Sequence, residues 1–389
     1  MLSIIALVVS IFSYIERPQS KEEFRGSVVD ALSGVEEMDG FARAINERKF
    51  SFPADRGPHH DFQTEWWYYT GNLLDDAGRH FGFQLTFFRR ALTAEIMERK
   101  SRWASNQVYF AHFTVTDTEN RAFYPSEKWS RSALGLAGAD AQPFRVWVAD
   151  WSATGNGKIV RLRARNDSAS IDLKLSPTKP IILHGDNGLS RKSAEPGNAS
   201  YYYSQTRLTT SGIITIEDRE FRVTGLSWHD REWSTSSLGK EQSGWDWFSL
   251  QLSNNREIML YQIRLKNGGI DPHSSGSLIE SDGTVHHLRV GDFTIEPLDK
   301  WRSPTTGTVY PSQWRISIPR YGIAITVVPY VRSQELSLTF AYWEGAVKFK
   351  GGNASGNGYV ELTGYASHAE SDEVSDSAPG SGQSDSGLK

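Results

Sequence analysis

Apolar and polar residues alternate with a period of two through much of the chain, and this pattern constrains the fold more than any other feature. The segment FGFQLTFF (81–88) places three phenylalanines and one leucine on the same face. Such alternation indicates a half-buried β-strand. Segments 220–228, 256–265 and 321–331 show similar alternation, and Gly, Asn, Asp or Pro residues bound them. Helical periods of useful length are absent in between, so the sequence predicts an all-β protein.

Composition supports β structure and excludes several kinds of site. Aromatic residues make up 12 % of the 389 residues, and aromatic side chains suit a pleated surface. Because there is no cysteine, disulfides, thiolate metal sites and cysteine nucleophiles are excluded. The net charge of −4 is carried by segment 366–389, which has five acidic residues and one lysine. The remainder is neutral, so no basic surface indicates a nucleic-acid partner.

Three terminal segments lie outside the β-rich part. The apolar stretch from Leu2 to Ile15 has the length of the core of an export signal. We therefore expect residues 1–20 to be a signal or membrane anchor and the protein to be exported, in the periplasm or cell envelope; a mis-assigned start codon is the alternative. Apolar residues at three- and four-residue spacing predict a leader helix over 21–50. The segment 367–389, rich in Ser, Gly and Asp, is predicted to be a disordered acidic tail.

Two similar hairpins indicate an internal duplication. A carboxylate followed by Trp opens a strand at Glu65 and again at Asp246, and a turn and a return strand follow each. A Gly-led strand and then a Thr-Gly pair close each unit, at Thr224 and Thr363. The repeat predicts two related β-units in which Glu65 and Asp246 occupy equivalent places.

The predicted units span 51–235 and 240–366, and the first carries about 40 additional residues. With no helical layer to cover a sheet, units of this kind form either sandwiches or barrels. A barrel of about eight strands can hold one small ligand in its mouth. The high aromatic content favours such a lined cavity slightly.

Several long motifs carry a resemblance to a known family. They are FPADRGPHHDFQTEWWYYTGNL (52–73), GRHFGFQLTFFRR (78–90), GLSWHDREWSTSSLG (225–239), GWDWFSLQL (244–252), YWEGAV (342–347) and GYVELTGY (358–365). From about Phe50 to Tyr365 the chain resembles the AttH-like branch of the carotenoid 1,2-hydratase (CrtC) family. The resemblance implies two tandem lipocalin-like (calycin) antiparallel β-barrels. It also implies a large apolar ligand of isoprenoid or polyene type.

The chain departs from the hydratase branch at one segment. That branch has Asp-His-Asn-Trp where this chain has Asp230-Arg231-Glu232-Trp233, so the Asp and the Trp match and the His does not. The neighbouring His229 could take the role of that His only from the adjacent position. Adjacent side chains on a strand point to opposite faces, so carotenoid hydratase activity is in question while the implied fold is not.

Hydration of an isolated carbon–carbon double bond needs no metal or cofactor. It needs a carboxyl group whose pKa is raised by apolar surroundings, and aromatic faces that stabilise a cation. Carboxylates next to tryptophans occur at three places, which gives the candidate residues. The candidate catalytic residues are Asp230, Asp246, Glu65 and His229. The candidate ligand-binding residues are Trp66, Trp67, Tyr69, Trp228, Trp233, Trp245 and Trp247.

Structural interpretations compete with these roles. Glu65 could pair with Arg89 or Arg90, and Asp230 could pair with Arg231 or a more distant arginine. His59, His60 and Asp61, with Glu65, match no recognised zinc motif, so no metal site is predicted. No segment matches a serine nucleophile elbow.

Two main hypotheses about function follow. The first is a cofactor-free hydro-lyase, similar to the carotenoid 1,2-hydratases, that acts by acid catalysis on an apolar isoprenoid or polyene. The second is a non-catalytic lipid- or isoprenoid-binding protein of the cell envelope, attached to the membrane through its N-terminus and associated with a transporter. A secreted hydrolase is a further alternative. All share an apolar small molecule as the partner.

Overall fold

The computed structural model describes residues 39–95, 101, 103–235, 238–352 and 354–366. The predicted signal or anchor (1–20) and the predicted tail (367–389) lie outside the described residues, as does most of the predicted leader helix. Its described part, residues 39–50, consists of turns, bends and extended chain without helix.

The described residues form 23 strands in two antiparallel sheets, together with two short 3₁₀ helices, Ala54–Arg56 and Pro319–Tyr321. The strands of the first sheet are β1 (Thr64–Asp75), β2 (His80–Ala91), β3 (Gln107–Asp117), β4 (Ala122–Arg131), β5 (Ala137–Ala141), β6 (Phe144–Val148), β7 (Trp151–Gly155), β8 (Val160–Arg165), β9 (Ala169–Pro177), β10 (Ile182–Leu183), β11 (Leu189–Arg191), β12 (Ala199–Ile216) and β13 (Arg219–Ser234).

The strands of the second sheet are β14 (Gln242–Leu252), β15 (Glu257–Leu265), β16 (Ser275–Ile279), β17 (Val285–Arg289), β18 (Thr294–Arg302), β19 (Val309–Ile318), β20 (Ile323–Pro329), β21 (Glu335–Ser337), β22 (Ala341–Gly351) and β23 (Ala354–Leu362). Each sheet curls into a nearly closed antiparallel barrel. The prediction of an all-β, lipocalin-like fold is therefore confirmed.

The two barrels share one strand order. The first sheet runs β4-β3-β2-β1-β13-β12-β9-β8-β7-β6-β5, and the second runs β17-β16-β15-β14-β23-β22-β20-β19-β18. The orders match strand for strand, except that the first sheet adds β6 and β5 at one end. Short strands also pair off the path in both, β10 and β11 with β12 and β21 with β22. This shared topology supports the predicted duplication.

Register agrees with only part of the predicted repeat. Glu65 and Asp246 lie on the equivalent strands β1 and β14, as predicted. The two Thr-Gly pairs are not equivalent, because Thr224 pairs with Leu74 near the end of β1. Thr363 instead follows β23 and donates its backbone N–H to Trp245 O, near the start of β14. That part of the repeat prediction was wrong.

Apolar side chains fill the interior of each barrel. In the first barrel Trp67 and Tyr69 of β1 pack with Phe81, Phe83 and Phe87 of β2 and with residues of β6 to β9, β12 and β13. In the second barrel Phe248 of β14 packs against Trp314 with ring centroids 5.5 Å apart. Both interiors are packed cores that contain large aromatic side chains. The expectation of a ligand in the mouth of a barrel is therefore not met.

The barrels contact each other through outward-facing side chains and buried polar bonds. Gln251 donates to Thr206 O at 2.8 Å and to Ser227 O at 3.0 Å. Lys179 bridges to Glu257 of the second barrel at 2.8 Å. A Cβ atom at Gly82 would lie 2.6 Å from Cβ of Ala346 in the second barrel. Glycine at this outward position of β2 therefore permits the close approach of the two sheets.

A buried ion cluster closes one end of the first barrel. Glu65 on β1 forms ion pairs with Arg89 on β2 and Arg231 on β13, and all three side chains are fully buried. Although burial alone raises the pKa of Glu65, the two guanidinium groups hold it well below its usual range. His59 stacks on Trp233 at 3.8 Å and donates its backbone N–H to Glu65. The predicted pairing with Arg89 is confirmed, whereas Arg231 pairs with Glu65 and not with Asp230.

We predict that Glu65→Gln destabilises the protein strongly. The substitution leaves two guanidinium groups buried without a counter-charge, and breaking a buried pair in this way costs about 3–5 kcal/mol of unfolding free energy. Urea unfolding followed by tryptophan fluorescence measures the change. The matched control is Asp172→Asn, which breaks a half-exposed pair with Arg161 and should cost at most about 1 kcal/mol. Equal effects of the two substitutions would contradict a structural role for Glu65.

Candidate active site

A cavity of about 120 Å³ lies between the two barrels rather than inside either one. Its walls come from β1, β2, β12 and β13 of the first barrel and from β14, β15, β22 and β23 of the second, with two loop residues, Lys192 and Leu238. Aromatic residues are eight of the 19 described residues that line the cavity. The eight aromatic lining residues are Trp66, Tyr68, Phe88, Tyr202, Trp245, Trp247, Tyr261 and Tyr342.

Alternation along the strands explains the run of four aromatic residues on β1. Trp67 and Tyr69 point into the first barrel, whereas Trp66 and Tyr68 point outward and line the cavity. On β14, Trp245 and Trp247 line the cavity from the opposite side. Each first strand thus supplies one face to a barrel core and the other face to the shared cavity.

Asp230 is the predicted catalytic residue that lines this cavity. Its Oδ2 accepts a hydrogen bond from the Tyr202 hydroxyl at 2.7 Å, and its Oδ1 accepts from Trp228 Nε1 at 2.6 Å and from the Ser204 hydroxyl. No Lys, Arg or His side chain of the described residues forms an ion pair with it. Burial raises the pKa of Asp230 to about 7, although the three hydrogen-bond donors lower it. The carboxyl group therefore exists in both protonation states near neutral pH.

A chain of hydrogen bonds supports Asp230 from the side away from the cavity. The Ser204 hydroxyl donates to Asp230, so its oxygen accepts from His184 Nε2 at 2.6 Å. Nδ1 of His184 then accepts from the Ser277 hydroxyl of the second barrel at 2.9 Å. Burial lowers the pKa of His184 to about 3, so the ring is neutral. These donors hold the Asp230 carboxyl in one orientation and stabilise its ionised form.

Two more carboxyl groups face Asp230 from the second barrel. Glu344 and Glu361 lie directly opposite each other on β22 and β23 and both line the cavity. Glu344 accepts from the Tyr68 hydroxyl and from Gln84 Nε2 at 3.0 Å. Burial, and then its neighbour Glu361, raise the pKa of Glu344 well above its usual range. Burial raises the pKa of Glu361 to about 8. The Glu361 carboxyl group accepts a hydrogen bond from Trp245 Nε1 at 3.1 Å.

A fourth carboxylate is neutralised within the protein. Glu232, two residues after Asp230 on the same face of β13, forms an ion pair with Lys192 at 3.1 Å. Burial lowers the pKa of Lys192, but the Glu232 carboxylate raises it above its usual value. The ammonium group also lies 4.3 Å from the centre of the Tyr261 ring. The described residues therefore give the cavity four carboxyl groups and one cationic side chain.

The other predicted site residues do not line the cavity. Asp246 points to the opposite face of β14. There its carboxylate accepts hydrogen bonds from Arg264 Nε and from the Tyr365 hydroxyl, each at 3.0 Å. His229 stacks on Tyr69 at 4.2 Å on the inner side of β13. Glu65, Trp67, Tyr69 and Trp233 also belong to the first barrel and its closed end. Alternation accounts for each placement, and it separates these residues from Asp230 and Trp66.

Sequence reasoning missed several residues of the cavity. Glu344 and Glu361 lie in the quoted motifs YWEGAV and GYVELTGY, and Glu344 directly follows a tryptophan, as Asp246 does. The same rule of a carboxylate next to an aromatic residue could therefore have found Glu344. Nothing in the local sequence indicates Lys192, which reaches the cavity from the loop between β11 and β12.

Neither a metal cluster nor a membrane-spanning helix is found in the part of the chain that the structure describes. No group of three or more His, Asp or Glu side chains there is arranged to hold a metal ion. No helix there is long and apolar enough to cross a bilayer.

Comparison with known families places the chain. A family model described as AttH-like matches residues 43–365. The chain belongs to the AttH-like family. The crystal structure of a protein assigned as AttH from Nitrosomonas europaea is 33 % identical to this AttH-like chain, with a TM-score of 0.75, and the match covers 84 % of this chain and 100 % of that one.

Two more distant relatives carry enzyme names. The crystal structure of kievitone hydratase from Nectria haematococca has the same fold, with a TM-score of 0.64 at 14 % identity over 83 % of this AttH-like chain and 98 % of that one. The dehydratase asqC of Emericella nidulans is 20 % identical over 225 residues, 53 % of this chain. The chain spans 62 % of the length of that dehydratase. The AttH-like chain thus has distant hydratase and dehydratase relatives.

We predict that Asp230 makes stability fall as pH rises. Its folded pKa of about 7 exceeds the ordinary value of 3.8, so the stabilising contribution is complete below about pH 4 and is lost by about pH 7. A shift of this size corresponds to about 4 kcal/mol. Asp230→Asn, which resembles the protonated acid, should raise the melting temperature near pH 8 and change it little near pH 4. The control Asp172→Asn, at the half-exposed carboxylate, should not show this difference. A pH-independent effect of Asp230→Asn would contradict the raised pKa.

Proposed function

We propose that this AttH-like protein is a hydro-lyase that adds water to, or removes it from, an unsaturated substrate, with Asp230 as the general acid. The observation that carries the proposal is a buried carboxyl group with a pKa of about 7 in the wall of an aromatic cavity. A general acid works best when its pKa lies near the operating pH. The distant hydratase and dehydratase relatives support the same reaction class.

Asp230 supplies the proton in either direction of the proposed reaction. In dehydration it protonates the departing hydroxyl group, which leaves as water, while a proton is lost from the adjacent carbon as the double bond forms. In hydration it protonates one carbon of the double bond, and water bonds to the other. Tyr202, Trp228 and Ser204 donate to the carboxylate that remains, and this stabilises the state after proton transfer.

Glu361 is the proposed proton acceptor on the opposite wall. Its ionised form takes the proton that the attacking water loses in hydration, or the carbon-bound proton in dehydration. The active form then has Asp230 protonated and Glu361 ionised. With pKa values of about 7 and about 8, the population of this form is greatest between those two values and falls on both sides.

The size of the cavity favours a compact substrate. A cavity of about 150 Å³ in another protein binds one benzene molecule, so about 120 Å³ corresponds to one ring-sized group. The isoprenoid or polyene expected from the resemblance would leave most of its length outside the cavity. We therefore propose a small unsaturated compound, or the compact end of a longer one, as the reacting group.

The test uses water labelled with oxygen-18. The protein is incubated with kievitone, the compound named by one relative, and with a mixed metabolite extract in labelled water, and mass spectrometry follows compounds that gain or lose water. We expect the wild type to change at least one compound and Asp230→Asn to do so about 10²–10⁴-fold more slowly, the usual contribution of a general acid. The rate of the wild type should be greatest between about pH 7 and about pH 8.

Asp246→Asn is the matched control, since Asp246 is also buried and hydrogen-bonded but faces away from the cavity. It should retain activity. If Asp230→Asn matches the wild type, the carboxyl group is not the acid. If the wild type changes no compound yet retains an apolar molecule through purification, the non-catalytic binding protein is the better description.

A further inference from the structure

In the part of the chain that the structure describes, the acidic side chains of the cavity walls outnumber the basic ones. Among the described residues, the titratable groups that face the cavity are four carboxyl groups, the ammonium group of Lys192 and four tyrosines, with His184 and His112 behind the walls. Lys192 is paired with Glu232. Within the described chain, neither Glu344 nor Glu361 has a Lys, Arg or His nitrogen within 4.0 Å. These two adjacent acids therefore lack a positive partner from the protein.

Aromatic rings surround the same two acids. Trp245 donates to Glu361 and Tyr68 donates to Glu344, so each acid is held by the polar edge of an aromatic residue. Trp247 stands edge-on to the Tyr68 ring, with centroids 5.1 Å apart. Aromatic faces attract organic cations, and desolvation strengthens that attraction. Buried carboxylates without counter-charges are unfavourable, and a bound positive charge would remove this penalty.

We propose that the cavity binds an organic cation and that the substrate carries a tertiary or quaternary ammonium group, which lies between Glu344 and Glu361 against the surrounding rings. This inference rests on the proposed function only in taking the same cavity as the substrate site. The volume of about 120 Å³ suits a compact ammonium group. Asp230 remains free to act as the acid, while Glu344 and the ionised form of Glu361, the proposed proton acceptor, bind the charge.

Binding of a cation is coupled to proton release. The ligand favours the ionised forms of Glu344 and Glu361. In the free protein burial raises both pKa values, and nearby carboxyl groups add to this: Glu361 for Glu344, and Asp230 and Glu232 for Glu361. The cation should lower these pKa values, because an opposite charge stabilises the ionised form. Affinity should therefore increase as pH rises through about 8, and binding at neutral pH should release protons into the buffer.

The experiment compares choline with 3,3-dimethylbutan-1-ol, its uncharged analogue of nearly the same shape. Calorimetric titration of the full chain is carried out at several pH values and in buffers with different heats of ionisation, with cavity tryptophan fluorescence as a second signal. We expect choline to bind at least tenfold more tightly than the alcohol near pH 8, with proton release near pH 7. The proposal is overturned if the alcohol binds as tightly as choline.

Substitutions test whether Glu344 and Glu361 bind the cation. The double substitution Glu344→Gln, Glu361→Gln should weaken choline binding at least tenfold, leave binding of the alcohol unchanged and abolish proton release. The matched control is Glu335→Gln, a buried carboxyl group of the second barrel that is bonded only to hydroxyl groups, Ser303 among them, and does not line the cavity. It should bind choline as the wild type does. Unchanged choline binding by the double variant would also overturn the proposal.

Different results would contradict the cation site and the hydro-lyase activity. Choline binding tests the cation site, and the gain or loss of labelled water tests the hydro-lyase. If choline does not bind but oxygen-18 enters a neutral compound at a rate that depends on Asp230, the hydro-lyase stands and the cationic substrate is rejected. If choline binds with the expected charge preference while no compound gains or loses water, the cavity is a cation site without the proposed reaction.

Discussion

The opposite orientation of adjacent side chains on a strand is the constraint on which the rest of this structure depends. On β1 it separates Trp67 and Tyr69, which pack in the first barrel, from Trp66 and Tyr68, which line the shared cavity. On β13 it places Arg231 inside and Asp230 outside. One short segment can therefore stabilise a barrel with one face and build a reactive site with the other, without conflict between the two requirements.

Burial alone does not determine what a carboxyl group does here; its neighbours do. Glu65 and Asp230 are both buried, yet two guanidinium groups keep Glu65 ionised, whereas Asp230 has only neutral donors and holds its proton up to about pH 7. Removal of the first carboxylate would leave two buried guanidinium groups without a counter-charge. The second carboxyl group destabilises the fold at neutral pH and retains a proton that can be transferred. The departure from the hydratase pattern at Arg231 has a structural explanation in this contrast, since Arg231 belongs to the ion cluster and not to the cavity.

Sequence reasoning predicted the all-β class, the duplicated barrels and the pairing of Glu65 with Arg89 because these follow from alternation and from local motifs. It also identified Asp230 as a candidate acid. It could not separate Asp230 from Asp246, since both are next to tryptophans and only the inward or outward direction of each distinguishes them. The pattern of a carboxylate next to tryptophan also includes Glu344. The proximity of Glu344 and Glu361 to Asp230 could not be predicted, because it results from the packing of one barrel against the other, which no local pattern encodes.

The placement of the cavity at the seam between barrels has a consequence for how such a protein can change. Its walls belong to two barrels that contact each other outside the cavity as well, at the bridge from Lys179 to Glu257 and at the close approach at Gly82. A small rotation of one barrel would widen or narrow the gap with every wall residue retained. Selectivity for ligand size can therefore evolve through substitutions remote from the ligand, while the acid chemistry of the walls is preserved.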